Sequence, residues 1–286
     1  MKKDLTVPPL AKMVAGGSAG IIAKTVVSPL ERARILAQTG ESSLGAVSTI
    51  VQIVREEGMS GLWRGNTVNC LRVFPAKAVL FSANDMWKSN FRWVLGRETL
   101  PTGVGFLSGS LAGMTASLST YPLDYARTRL SGTFARNTRS SGMVSVIVST
   151  VNAEGIAGLY KGIVPSLWGA LPYEGIKFGC YDVLSSLVNT RGTDETSLFS
   201  KFTCGAISGT VAGFVMYPND TVRKLLQMQD RSNMKYKSSF DCYMTVIREE
   251  GVRRLYRGVG PYLSRMVPNA AIQFGVYESF KQYYFR

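Results

Sequence analysis

Three acid–base pairs recur in this chain at one spacing: Glu31 with Arg34, Asp124 with Arg127, and Asp220 with Arg223. In each, the acid precedes the base by one helical turn and follows a proline by two residues, at Pro29, Pro122 and Pro218. One such pair on a helix is a solvated surface feature worth about 0.2–0.5 kcal/mol. Three copies predict something else. Proline kinks helices, and three equivalent kinks pull three helix ends together. Carboxylates and guanidiniums of different helices can then pair in a closed ring, a plug made and broken without covalent change. A related set lies toward the opposite helix ends: Asp85 and Lys88, Asp182 and Ser185, Glu278 and Lys281. Serine at 185 leaves one base out. Two such plugs at opposite ends of one body imply alternating access.

A ring should obey the three-fold pattern, whereas a site for one asymmetric molecule should break it. Aligned on Pro75, Pro172 and Pro268, the position three residues earlier reads Arg72, Gly169, Arg265. The position five before the motif prolines reads Lys24, Ser117, Gly213. Lys24, Arg72 and Arg265 suit a compact polyanion such as a phosphate chain, which arginine pairs with in bidentate geometry. Gly169 and Ala170 leave room on the third side, and Tyr173 can lie against an aromatic ring. The plainer readings are helix packing for Gly169 and snorkelling of Lys24 to an interface.

Catalysis finds little support. The chain has no histidine, and no nucleophile–base pair is identifiable. Its four cysteines, Cys70, Cys180, Cys204 and Cys242, form no close-spaced pair, so neither a metal centre nor a disulfide framework is expected. No phosphate-binding Gly-x-x-x-x-Gly-Lys loop is present. No cofactor is implied.

The elements that position these residues repeat with them. Each proline motif is followed by Glu57-Gly58 to Arg64-Gly65, Glu154-Gly155 to Lys161-Gly162, and Glu250-Gly251 to Arg257-Gly258. Three units of about 95 residues are too long for an ordinary solenoid and predict closure around an axis. Their bounds are read as 1–97, 98–191 and 192–286. Each opens with an apolar stretch: Leu10–Val27, Pro101–Tyr121, Leu198–Tyr217. Glycines four apart punctuate them, at Gly16 and Gly20, at Gly105, Gly109 and Gly113, and at Gly205, Gly209 and Gly213. Four-residue spacing puts them on one helix face, where small residues let helices approach closely in lipid. Short amphipathic segments follow at 44–57, 143–154 and 239–250, and a second long helix starts near Asn66, Ile163 and Val259.

The six long helices carry Lys24, Arg72, Lys77, Lys177 and Arg265. Such charges are tolerated within a bilayer only facing protein or water, so the helices must line a wet cavity. The predicted fold is an all-α membrane protein: six transmembrane helices in three pseudo-symmetric two-helix repeats around a central cavity, with three short helices. The net charge is +14. Its bases recur within the repeats and do not form one tail, which favours an interior anion path over nucleic-acid binding. Met1-Lys2-Lys3-Asp4 leads into Leu10 with neither a secretory nor a transit-peptide pattern, so targeting information is expected to be internal.

Over its whole length the chain resembles the mitochondrial carrier family. The resemblance rests on three copies of Pro-x-[Asp/Glu]-x-x-[Lys/Arg], each followed by the Glu-Gly to Arg/Lys-Gly element. It implies matrix-side placement of the three short helices and solute antiport across the mitochondrial inner membrane. It also implies pairing of Glu31 with Arg127, Asp124 with Arg223 and Asp220 with Arg34 in a matrix gate. Gln38 and Gln227 stand at the family's brace positions, and Ser131 takes that place in the second repeat. Asp85, Lys88, Asp182, Glu278 and Lys281 stand at the cytoplasmic gate. A monomer is implied, with membrane lipid, cardiolipin on the matrix side, as partner.

Lys24, Arg72, Arg265 and the Gly169-Ala170 pair resemble the constellation of adenine-nucleotide carriers. The stretch Tyr121–Leu130 is similar to ADP/ATP carriers, and Ala23-Lys24-Thr25 with Pro29-Leu30-Glu31-Arg32 to coenzyme A-type carriers. Arg223-Lys224-Leu225-Leu226-Gln227 replaces the arginine- and methionine-rich signature of the ADP/ATP exchangers. The expected substrate is therefore an adenine-nucleotide-type phosphorylated solute: ADP, ATP, AMP or a coenzyme A-like molecule. The alternative is a smaller anion such as phosphate or a dicarboxylate.

Overall fold

A computed structural model describes residues 9–97, 99–134, 142–190, 198–229 and 234–284, and among them helix is the only regular structure. The first copy of the motifs folds as α1 (Pro9–Thr39), α2 (Ala46–Glu57), α3 (Asn66–Leu71) and α4 (Val73–Leu95). The second gives α5 (Thr102–Ser131), α6 (Met143–Glu154) and α7 (Ile163–Thr190). The third gives α8 (Leu198–Val215), α9 (Tyr217–Met228), α10 (Ser239–Glu250), α11 (Val252–Leu255) and α12 (Val259–Tyr284). Long helices α1 and α12, α4 and α5, and α7 and α8 pack along one another, which closes the helices into a ring.

The motif prolines act differently from copy to copy. Pro29 and Pro122 lie inside continuous α1 and α5. Pro218 stands at the start of α9, and the chain breaks before it at Met216. The second helix of the first repeat is also interrupted, at Arg72, between α3 and α4. Each short helix packs its apolar face under the kinked end of a long helix. Leu36, Ile53 and Leu62 cluster there, as do Tyr125, Leu130, Val146 and Leu159, and Val222, Leu226, Val246 and Leu255. Burying one such side chain is worth about 1.5–3 kcal/mol, so each cluster fixes the helix end that carries a motif acid and base.

The repeats interlock at the second glycine of each Glu-Gly to Arg/Lys-Gly element. Gly65, Gly162 and Gly258 have φ of +82°, +75° and +84°, a region costly for any residue with a Cβ. Each also lies against the backbone carbonyl of a motif base in the next repeat. A Cβ there would sit 3.3 Å from Arg127 O, 2.9 Å from Arg223 O and 2.9 Å from Arg34 O, respectively.

One expectation needs correction. The glycine stripe of α5 does not serve close helix packing. A Cβ on Gly105, Gly109 or Gly113 would meet nothing within 4 Å, because these residues line the central cavity. Among the described glycines of the first helices, close approach is seen at Gly17 against Phe74 and at Gly213 against Tyr262; Gly205 and Gly209 meet nothing within 4 Å, and Gly16 falls outside the described side-chain positions. Hydropathy does not single out six spans, in keeping with the charges that interrupt the long helices: among the described residues, no single helix is long and apolar enough to cross a membrane. One pair passes that test together, α6 with Ile156–Val188, but the chain turns by 119° between them. Charged residues such as Lys24, Lys77, Lys177 and Arg265 interrupt the apolar stretches of the long helices and lower their average hydropathy.

Candidate functional site

The kinked helix ends meet at the axis, and the motif acids and bases pair between repeats. Arg127 Nη2 lies 2.7 Å from Glu31 Oε2, Arg223 Nη2 2.6 Å from Asp124 Oδ2, and Arg34 Nη2 2.7 Å from Asp220 Oδ2. Tyrosines back the guanidiniums. Arg34 lies over Tyr262 at 4.4 Å and Tyr217 at 5.0 Å, and Arg223 over Tyr121 at 5.3 Å. Such contacts are worth about 0.5–2 kcal/mol each. Tyr121 and Tyr217 are held in turn by donating to the carbonyls of Lys161 and Arg257. Gln38 donates to Asp220 Oδ2 at 3.1 Å, and Gln227 to Asp124 Oδ2 at 3.3 Å. Ser131 instead donates to the Arg64 carbonyl at 3.0 Å.

The three links are unequal, and the inequality comes from residues outside the repeat pattern. Asp124 also faces Arg72 at 3.3 Å and Lys224 at 3.7 Å. Glu31 also faces Arg265 at 3.6 Å. Among the described residues Asp220 has a salt bridge with Arg34 alone, glycine standing at 169 where the other repeats have Arg72 and Arg265, although the charges of Lys224 and Arg223 also reach it. Its side chain is accordingly 30 % exposed, against 15 % for Glu31 and 5 % for Asp124. A chamber of 160 Å³ within the ring is lined by Arg34, Arg72, Arg127, Arg223 and Lys224 against Glu31, Asp124 and Asp220. That is a formal excess of two positive charges in a buried space.

Above the ring opens a cavity of 1120 Å³. Gly169, Ala170, Tyr173 and Arg265 line it, as the sequence predicts, and so do Arg34, Asp220 and Arg223 of the ring. The other two expected cations lie elsewhere. Arg72 lines the ring chamber, and Lys24 donates to Asn69 Oδ1 at 2.9 Å. Arg72 is expected beside Gly169 and Arg265, and Lys24 elsewhere in the cavity; the carboxylate of Asp124 and the amide of Asn69 draw them off it. Glu174 lines the cavity and pairs with Lys177 at 3.1 Å on its own helix. The buried Nε atoms of Arg34, Arg223 and Arg265 have no acceptor among the described residues.

Several site residues escape a reading based on charge. Lys224 is buried against Thr128 Oγ1 at 2.8 Å and Gln227 Oε1 at 3.3 Å. Asn219 donates to the Pro165 carbonyl at 2.7 Å and accepts from the Tyr243 hydroxyl at 3.2 Å. Asn69, Ser166 and Tyr262 occupy one repeat position, three residues before Arg72, Gly169 and Arg265. They differ in all three copies. Symmetry breaking, applied one turn earlier along the second helices, is the signal that marks them.

At the far end the cavity is open. Lys88 and Asp182 line its mouth, and among the described residues Asp85, Lys88 and Asp182 form no ion pair with one another. Ser185 donates to the carbonyl of Asp182 at 3.0 Å. The side chains of Glu278 and Lys281 lie outside the described residues.

Comparison with known proteins identifies the family. The profile of the family described as "Mitochondrial carrier protein" matches residues 5–94, 98–192 and 194–286. The chain is 35% identical to "Mitochondrial carrier protein CoAc1" of Arabidopsis thaliana, covering 97% of this chain and 91% of that protein. It is 33% identical to the "ADP,ATP carrier protein" of Neurospora crassa, covering 95% and 92%. It is 34% identical to "Mitochondrial carrier protein CoAc1" of Zea mays, covering 94% and 86%. Members of this family transport solutes and do not catalyse reactions. With three matched repeats spanning nearly its whole length, the chain belongs to the mitochondrial carrier family.

Proposed function

We propose that the protein is an antiporter of the mitochondrial inner membrane that exchanges an adenine-bearing phosphorylated anion: ADP, ATP, AMP or a coenzyme A-like molecule. Six spans, α1, α3–α4, α5, α7, α8–α9 and α12, enclose the cavity. The ring of Glu31, Arg34, Asp124, Arg127, Asp220 and Arg223, braced by Gln38 and Gln227, is the matrix gate, here closed. Asp85, Lys88, Asp182, Glu278 and Lys281 form the cytoplasmic gate, here open. Large apolar side chains exposed on the helices, among them Val26, Phe81, Trp93, Leu118, Trp168 and Val211, support a lipid-facing exterior.

The observation that carries the substrate class is the unequal floor of the cavity. Arg72 and Arg265 rest on ring carboxylates at 3.3 and 3.6 Å, and the chamber holds two surplus positive charges. A phosphate chain entering from the cytoplasm offers these guanidiniums better acceptors than a shared carboxylate does. As they turn to it, Asp124 and Glu31 each lose a partner and the ring weakens. Binding and gate opening are thereby one electrostatic exchange. Gly169 and Ala170 leave the third wall flat beside Tyr173, where a planar base can lie.

Reconstitution into liposomes tests this. Uptake of labelled ADP or coenzyme A should require an internal adenine phosphate and should be near background in empty vesicles. Exchange supported by phosphate or dicarboxylates alone would overturn the substrate class, and equal uptake into empty vesicles would overturn antiport.

A further inference from the structure

Two ring links share one construction. Gln38 donates Nε2 to Asp220 Oδ2, the oxygen that also takes Arg34, and Gln227 donates to Asp124 Oδ2, which also takes Arg223. In the second repeat that position is Ser131, whose short hydroxyl is turned to the Arg64 carbonyl and does not brace the Arg127–Glu31 link. The carboxylate is nevertheless served in the same way. Asn69, at 2 % exposure, places Nδ2 at 3.3 Å from Glu31 Oε2, the oxygen that takes Arg127 at 2.7 Å. It reaches the ring from α3, one turn before Arg72, and not from the helix carrying Arg127.

The orientation of this amide follows from its other neighbour. Lys24 Nζ lies 2.9 Å from Asn69 Oδ1, and an ammonium can only donate. The carbonyl oxygen must therefore face Lys24, which leaves the amide donors facing Glu31. We infer that Asn69 is the third brace of the ring, a positioning residue that stands in for the glutamine missing at Ser131 and is oriented by Lys24. The inference rests on the gate reading given above.

Sidedness of thiol labelling tests it. In a variant lacking the four native cysteines, Ser117→Cys places a thiol in the cavity wall. Its labelling from the matrix face relative to the cytoplasmic face reports how often the ring opens. Asn69→Leu should raise that ratio on the order of tenfold, as expected for losing one hydrogen bond to a charged group. Asn69→Asp keeps the size and the oxygen toward Lys24 but turns an acceptor toward Glu31, and should raise it further; it is the variant read if Asn69→Leu does not fold. Adding Ser131→Gln should return the ratio toward the starting value. The same Ser131→Gln should not rescue Gln227→Ala, because the two braces serve different links. An unmoved ratio in both Asn69 variants, or no return on adding Ser131→Gln, overturns the inference. The ratio is read without substrate, so failed uptake of adenine phosphates in liposomes leaves this test standing, and an unmoved ratio leaves the substrate reading untouched.

Discussion

A methyl group at position 169 would press on Nδ2 of Asn219, a side chain already committed to the Pro165 carbonyl and the Tyr243 hydroxyl. Glycine is thus required there by packing as well as by cavity space. Gly169→Ala should lower uptake and thermal stability together, and Asn219→Ala in the same chain should recover part of both. A coupling of about 1 kcal/mol is expected for residues in contact. Equal harm in the Asn219→Ala background would mean that the glycine supplies room for substrate alone. The arginines ask a different question, because Arg265 touches both the ring and the cavity whereas Arg72 stands in the ring chamber. Arg265→Ala and Arg72→Ala should each weaken substrate binding by about 1.5–3 kcal/mol, tenfold or more in half-saturation. Arg265→Ala should act mainly on affinity, since Glu31 keeps Arg127 and Asn69; saturation curves in liposomes separate the two variants. The charged site residues are legible in sequence because ion pairs at helical spacing are conspicuous against apolar helices. Asn69, Asn219 and Tyr262 are not, since an isolated amide or phenol within a helix acquires meaning only from what the next helix brings to it.

At the scale of elements, the short helices were the easiest to read. Their amphipathic period and terminal Glu-Gly set their ends, and 143–154 and 239–250 fold as helices over those residues. The helix breaks at Arg72 and Met216 fall within one turn before Pro75 and Pro218, but Pro29 and Pro122 are absorbed into continuous helices, and the prolines alone do not tell the two outcomes apart. α10 buries Cys242 beside Val246 and Leu255, and burial pushes its thiol up to about 12. The thiolate is the reactive form. Cys242 should therefore stay unlabelled by maleimide at neutral pH in the folded protein and react on unfolding, whereas the partly exposed Cys70 and Cys180 react first. Mass spectrometry of labelled peptides reads this directly. The loop glycines give a second expectation. Gly162→Ala and Gly258→Ala each combine a left-handed backbone with a carbonyl 2.9 Å away. Each should cost more than about 1 kcal/mol, measured as a lowered melting temperature in detergent.

For the whole molecule, three-fold symmetry was legible from three copies of one motif, and its breaking was legible only in part. Arg72, Gly169 and Arg265 could be aligned on prolines, but their partners depend on the inter-repeat packing. That packing makes the ring links unequal, and charge-swap variants should rank them. Arg34→Asp with Asp220→Arg should recover transport best, since among the described residues Asp220 has a salt bridge with Arg34 alone. Asp124→Arg with Arg223→Asp should recover least, because the new guanidinium would face Arg72 and Lys224. Equal recovery for both swaps would mean that the surplus cations do not act on the ring.

The loop glycines have a mechanical consequence. Gly65 bears on Arg127, Gly162 on Arg223 and Gly258 on Arg34, so each repeat leans on the next and the last leans on the first. Three bodies bearing on one another in a loop behave like meshed wheels. Close-packed contacts transmit displacement with little give, and a helix end that swings outward carries its neighbour's loop with it. On the proposed gate reading, opening the ring is then a motion of all three repeats at once, even though the surplus bases stand unequally at the three links.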